Sequence, residues 1–146
     1  MRISLAGVAL WILLAGQFSC SSLPERAPRD DEQIPRPVPH VRYEPDYPRS
    51  ARESRTDGYV AARYVVAGAG SVQSVEVVSS KPPGVFDQSV TDSIKRWRFG
   101  RFERDGYYVT HRPEIVHFHF YAGHCLTPPS AARGEEQLVV CVDAPR

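Results

Sequence analysis

Apolar residues recur at helical spacing between Phe86 and Phe99, and this segment predicts the central helix of the fold. Four apolar side chains follow one another at spacings of four, four and three residues, which places them on one helical face. They are Phe86, Val90, Ile94 and Trp97. The other face is polar and is expected to meet water. The pattern therefore predicts a helix over Asp87–Phe99, ended by Gly100, whose apolar face must be covered by a sheet.

Two stretches of alternating apolar and polar residues predict a hairpin before this helix. Residues 59–66 alternate as a half-buried strand does, and residues 72–80 form the return strand after a turn that contains Gly70. Val72 is out of phase with the valines that follow it. This shift predicts a bulge near Ser74.

A third alternating stretch, Glu114–Tyr121, follows the helix. One face of this predicted strand carries Val116, Phe118 and Phe120, and the other carries Ile115, His117, His119 and Tyr121. A short helix is expected to begin at Pro48, and LVVCV at residues 138–142 is a candidate fourth strand. The order predicts an α+β two-layer sandwich, with a three- or four-stranded antiparallel sheet and helices on one face.

Both ends of the chain differ from this domain in composition. Residues 1–20 carry an apolar run of about 16 residues, which spans roughly 24 Å and predicts a secretory or lipoprotein signal, with a membrane anchor as the alternative. Residues 21–42 are rich in proline and charge and predict a semi-extended tether with a reach of roughly 60 to 80 Å. The expected domain is 43–122, followed by a C-terminal extension over 123–146.

The three cysteines fit an exported protein. Cys20 follows a small residue and is a candidate for lipidation; ordinary cleavage just after it is the alternative. Either outcome leaves Cys125 and Cys141 as an even pair, which is expected to form a disulfide in an oxidising periplasm.

The ordered series YPRSA, DG, GSVQSVEVVSS, FDQSV, KRWRF and EIVHFHF resembles the C-terminal domain of TonB, the periplasmic energy transducer of Gram-negative bacteria. The resemblance covers about Tyr43 to Tyr121. The residues that carry it as structural landmarks are Tyr47, Pro48, Ala51, Gly58, Gly70, Trp97 and Phe99. It implies a helix-on-sheet fold and a periplasmic protein attached to a membrane through its N-terminus.

The resemblance also implies partners. In this family the last strand of the motif pairs edge-on with the TonB box of an outer-membrane receptor, and the inner-membrane motor complex is a second partner. The strand that would bind here is Glu114, Ile115, Val116, His117, Phe118, His119, Phe120 and Tyr121. The alternative is that the C-terminal extension covers this edge. A dimer is also left open.

Other chemistry is poorly supported by the residues. His117 and His119 share a strand face, as zinc ligands can, but no third ligand is evident, so solvated histidines and no metal are expected. The net charge of +1 and the apolar setting of Trp97 argue against nucleic-acid binding. No nucleophile with a base and no phosphate loop occurs, so neither an enzyme nor a cofactor is expected.

Three hypotheses follow from the sequence. The first is a TonB-like module that binds outer-membrane receptors in energy-coupled transport. The second is a lipid-anchored adaptor of the cell envelope with the same fold and no energy coupling, because the leader and tether are short. The third is a metal-binding envelope protein.

Overall fold

The computed structural model describes residues 22–123, 125–127 and 135–142. The elements are β1 (Glu25–Arg26), β2 (Pro39–Val41), α1 (Arg49–Glu53), β3 (Gly58–Val66), β4 (Val72–Lys81), α2 (Asp87–Lys95), β5 (Arg98–Phe99), β6 (Glu103–Arg104), β7 (Tyr107–Val109), β8 (Glu114–Ala122) and β9 (Glu136–Val142). The predicted leader and the lipidation candidate Cys20 lie outside the described residues.

The main sheet has four strands in the order β4-β3-β8-β9. The first three are antiparallel, and β9 runs parallel to β8. The helices and the apolar residues of the strands share one core, so the predicted α+β class is confirmed. The antiparallel direction expected for a fourth strand is wrong. Parallel neighbours need a connection of about a dozen residues, and residues 123–135 provide that length.

The apolar face predicted for α2 is confirmed. Phe86, Val90, Ile94 and Trp97 all have 0% exposure. The helix ends at Lys95, so the prediction that it reaches Phe99 and is ended by Gly100 is wrong. The reason is that Arg98–Phe99 forms β5 and pairs with β2. Trp97 stays on the apolar face because its N–H donates to the carbonyl of Ile94 and its indole N–H to that of Tyr43.

Two glycines of the family motif are required by close packing. A Cβ at Gly58 would lie 2.1 Å from the ring of Phe86. Gly70 has a φ of 93° in the β3–β4 turn, and a Cβ there would lie 2.3 Å from the carbonyl oxygen of Phe99. Both positions therefore favour a residue without a side chain.

The motif residues Tyr47, Pro48 and Ala51 position the short helix α1. Pro48 lies immediately before α1, and Ala51, within α1, is buried in the core. The ring of Tyr47 is buried against Phe86 and Phe120, and its hydroxyl donates to the carbonyl of Thr56 at 2.6 Å. These contacts bring the chain back to the start of β3.

Residues 24–41, which we call the N-terminal strap, lie against the domain. β1 pairs with β7, and β2 pairs with β5. The guanidinium of Arg26 bonds both carboxylate oxygens of Glu32, at 2.9 and 3.0 Å, and lowers the pKa of that carboxyl to about 2. The described part of the segment is therefore packed against the domain, whereas its composition predicts a semi-extended tether.

Candidate functional site

The predicted binding strand, β8, is an inner strand of the sheet. β3 lies along one side of β8, and β9 lies along the other in seven consecutive pairs, from Val116↔Glu136 to Ala122↔Val142. The expectation that Glu114–Tyr121 forms an open edge is therefore wrong for the described structure. The C-terminal extension supplies the covering strand, which is the alternative that the sequence had left open.

The side chains of β8 are also engaged within the chain. Val116, Phe118 and Phe120 have 0% exposure and lie in the core. Ile115 and Tyr121 are half-buried on the opposite face, and the carboxylate of Glu114 pairs with Arg36 of the strap. The two histidines contact side chains of neighbouring strands.

His117 links three parts of the chain. Its Nδ1 lies 2.6 Å from the hydroxyl of Tyr59 on β3, and its Nε2 lies 2.7 Å from the carboxylate of Glu135, just before β9. An ionised carboxylate only accepts, so Nε2 donates to Glu135. Burial raises the pKa of Tyr59, so its hydroxyl keeps its proton. The cluster attaches the start of β9 to the sheet.

His119 forms a second link to β9. It is 7% exposed, and its Nε2 lies 2.6 Å from the side-chain oxygen of Gln137. His117 and His119, which the sequence offers as possible zinc ligands, thus each contact a side chain of the C-terminal extension through Nε2. These contacts conflict with the binding of one zinc ion by both histidines. Among the residues described, no group of three or more His, Cys, Asp or Glu side chains could hold a metal.

Sequence reasoning missed Tyr59, Glu135 and Gln137. One signal was available: Glu135 and Gln137 are two residues apart, as His117 and His119 are, and this spacing matches partners on adjacent strands. The pairing could not be recognised because the direction and register of β9 were unknown.

The predicted disulfide between Cys125 and Cys141 is present, with a Cα–Cα distance of 5.7 Å. Cys141 is the penultimate residue of β9, and Cys125 follows shortly after β8. The bond therefore fixes the end of β9 beside the end of β8.

The outer side of β9 offers free backbone groups within the described part of the chain. The carbonyl of Val142 accepts from the N–H of Gly123, so Val142 directs its backbone groups toward β8. Backbone direction alternates along a strand, so Gln137, Val139 and Cys141 direct theirs outward. β9 is the last strand on this side of the described sheet.

The opposite edge, β4, is less regular. Its register against β3 shifts twice, leaving Val78 and Gln73 as extra residues. The second shift confirms the bulge predicted near Ser74. Bulges twist an edge strand and interrupt pairing, so they oppose addition of another strand.

A cavity of about 370 Å³ lies where β9 begins. It is lined by Arg36, Pro37, Val38, Pro39, Arg42, Tyr64, Glu114, Ile115, Glu135 and Glu136. Arg36 pairs with Glu114, and Arg42 pairs with Glu136. The positive charges that line the cavity are therefore balanced by carboxylates. Val38 is 73% exposed, which gives the cavity an apolar rim.

No helix within the described ranges is long and apolar enough to cross a membrane. The described residues form a small α+β domain. Its helices lie on one face of a mixed sheet, and the regular strand β9 lies at one edge.

Residues 43–121 match the family described as Gram-negative bacterial TonB protein C-terminal. The match covers more than half of the chain, and the chain belongs to this family. β9 and its disulfide lie beyond the matched residues.

The chain is similar to the TonB proteins of Escherichia coli and Salmonella typhimurium, with 34% and 33% identity over 58 residues. Each match covers 40% of this chain and 24% of the relative, so the chain spans about a quarter of the length of these curated relatives. A solved structure of the Pseudomonas aeruginosa TonB C-terminal domain is 21% identical, with a TM-score of 0.46, and the match covers 68% of this chain and 94% of that one.

Proposed function

We propose that this chain is a periplasmic TonB-like module that binds an extended segment of an outer-membrane receptor by strand addition, in energy-coupled transport across the membrane. One observation carries the proposal: one side of the described sheet ends in a regular seven-residue strand, β9, which pairs with β8 without a register shift and directs backbone groups outward. Family membership supports the class of partner.

Strand addition suits a partner of this kind. Backbone N–H and C=O groups at the edge of a sheet pair with any extended segment and supply most of the affinity. Side chains beside the edge then select among sequences. The module itself carries out no chemical reaction, and its role is to hold the receptor.

Photo-crosslinking in living cells tests this function. A photoreactive phenylalanine derivative replaces Tyr121, which lies at the end of β8 next to Cys141 of β9. The control carries the same group at Val78, 46% exposed on β4. We expect outer-membrane receptors to be captured from Tyr121 and not from Val78. Absence of receptors at both positions would contradict the proposal.

A second candidate, a lipid-anchored adaptor without energy coupling, is favoured by the N-terminal strap. The carbonyl of Pro24 accepts from the N–H of Tyr108, so packing begins four residues after Cys20. Four residues extend at most about 14 Å, far less than the reach predicted for a free tether. A chain acylated at Cys20 would hold the domain close to its membrane.

The mass of the mature protein and its membrane fraction distinguish the two candidates. An acylated Cys20 in the outer membrane, with no motor protein captured, supports the adaptor. An unprocessed leader in the inner membrane, with motor and receptor captured together, supports energy coupling.

A further inference from the structure

We propose that β9, and not β8, is the strand to which the partner's extended segment adds. This inference rests on the proposed function and assigns its binding edge. The C-terminal extension then completes the sheet and presents a new edge, one strand farther out than the edge within the family-matched residues.

The attachments of β9 argue that it stays in place. Val140 is 7% exposed in the core, and Leu138 and Val142 pack against the same cluster. Displacing β9 would expose these side chains to water. It would also break the bonds from His117 and His119, and the disulfide would still hold Cys141 beside Cys125.

The outward backbone groups of β9 form a regular acceptor. Gln137, Val139 and Cys141 each present one N–H and one C=O, and the seven pairs with β8 contain no register shift. A segment of about five residues can satisfy all three positions, because alternate residues of the added strand face β9. A bulged strand such as β4 lacks this regularity.

The surroundings of β9 indicate the chemistry of the segment. It must be extended and free of proline at the residues that face β9, since proline has no N–H to donate. The cavity at the start of β9 has an apolar rim of Pro37, Val38 and Ile115, which fits an apolar side chain at one end of the segment. The occupant is therefore an extended receptor segment with a terminal apolar anchor.

Binding of fluorescein-labelled peptides to the purified full-length chain tests the assignment. The peptides carry the TonB-box segments of the outer-membrane receptors of the same bacterium. Val139→Pro removes an outward N–H without removing a bond to β8, so the fold should be retained. We expect this variant to weaken binding at least tenfold, whereas Val78→Pro, at a bulge in β4, leaves affinity unchanged.

Peptides N-methylated at alternate residues, added to the oxidised protein in which the disulfide holds β9 beside β8, test backbone pairing without altering the protein. Methylation of the peptide residues that face β9 should abolish binding, and methylation of the residues between them should not. This result does not depend on whether Val139→Pro folds. Reduction of the disulfide should weaken binding, because it loosens the acceptor strand.

Two outcomes would overturn the inference in different ways. If reduction strengthens binding and Val139→Pro leaves it unchanged, the segment binds β8 after β9 leaves, and the proposed function stands. If no peptide binds the oxidised or the reduced protein, the proposed function itself fails.

Discussion

The two outer strands of the main sheet, β4 and β9, are built differently. β4 is joined to β3 by a tight turn at Gly70 and carries two bulges. β9 follows β8 after the longer connection of residues 123–135, is regular, and is attached by a disulfide and two histidine contacts. The edge formed by β4 is therefore protected against pairing, whereas the edge formed by β9 is rigidly held and regular.

The largest expected effect comes from removing the attachment of β9. Changing Cys125 and Cys141 to Ser opens a loop of 16 residues and should lower the free energy of unfolding by about 3 kcal/mol. Urea denaturation measures this change. Reduced wild-type protein is the matched control and should unfold at the same urea concentration as the double variant; a loss below about 1 kcal/mol would contradict a rigidly attached β9.

The next effect concerns the side chains that fix β9 to the core. Val140→Ala removes two methyl groups from a buried site and should destabilise the protein by about 2 kcal/mol. Val139→Ala is the neighbouring control, on the half-buried opposite face, and should cost clearly less. Equal costs in urea denaturation would mean that β9 does not direct Val140 inward.

A smaller effect is expected from the contact between β3 and β8 that positions His117. Tyr59→Phe removes the hydroxyl bonded to Nδ1 and should cost about 1 kcal/mol. Tyr107→Phe, at a tyrosine 42% exposed, serves as the control and should be close to neutral. If the two variants have the same stability, the cluster of Tyr59, His117 and Glu135 does not contribute to the fold.

The smallest change in stability is expected from a substitution in β4. Val78→Lys adds a charge to an exposed, bulged position and should change stability by less than about 0.5 kcal/mol. Receptor-peptide affinity should also stay unchanged. Loss of affinity in this variant, with the fold intact, would mean that the partner binds β4 and not β9.

The pattern of apolar residues predicted the features that depend on residue spacing within a single helix or strand. The apolar face from Phe86 to Trp97 and the bulge near Ser74 both follow from periodicity. The end of α2 could not be read this way, because Lys95 is followed by a strand whose partner, β2, lies more than 50 residues earlier. Proline content likewise predicts a semi-extended tether, since composition does not reveal the pairing between β1 and β7.

The candidate site was predicted only in part for a similar reason. The sequence indicated a strand at LVVCV and a disulfide to Cys141, and both are present. It did not reveal that the strand lies parallel to β8 and covers it. The side chains of Glu135 and Gln137 became meaningful only once that register was known.

Amide hydrogen exchange of β9, followed by NMR with and without receptor peptide, distinguishes binding of the partner to β9 from replacement of β9 by the partner. Without peptide, the N–H groups of Leu138, Val140 and Val142 should be protected and those of Gln137, Val139 and Cys141 should exchange rapidly, because only the first set faces β8. Peptide should protect the second set and leave the first protected. Loss of protection at Leu138, Val140 and Val142 on binding would contradict binding to β9, since it would mean that the partner replaces β9.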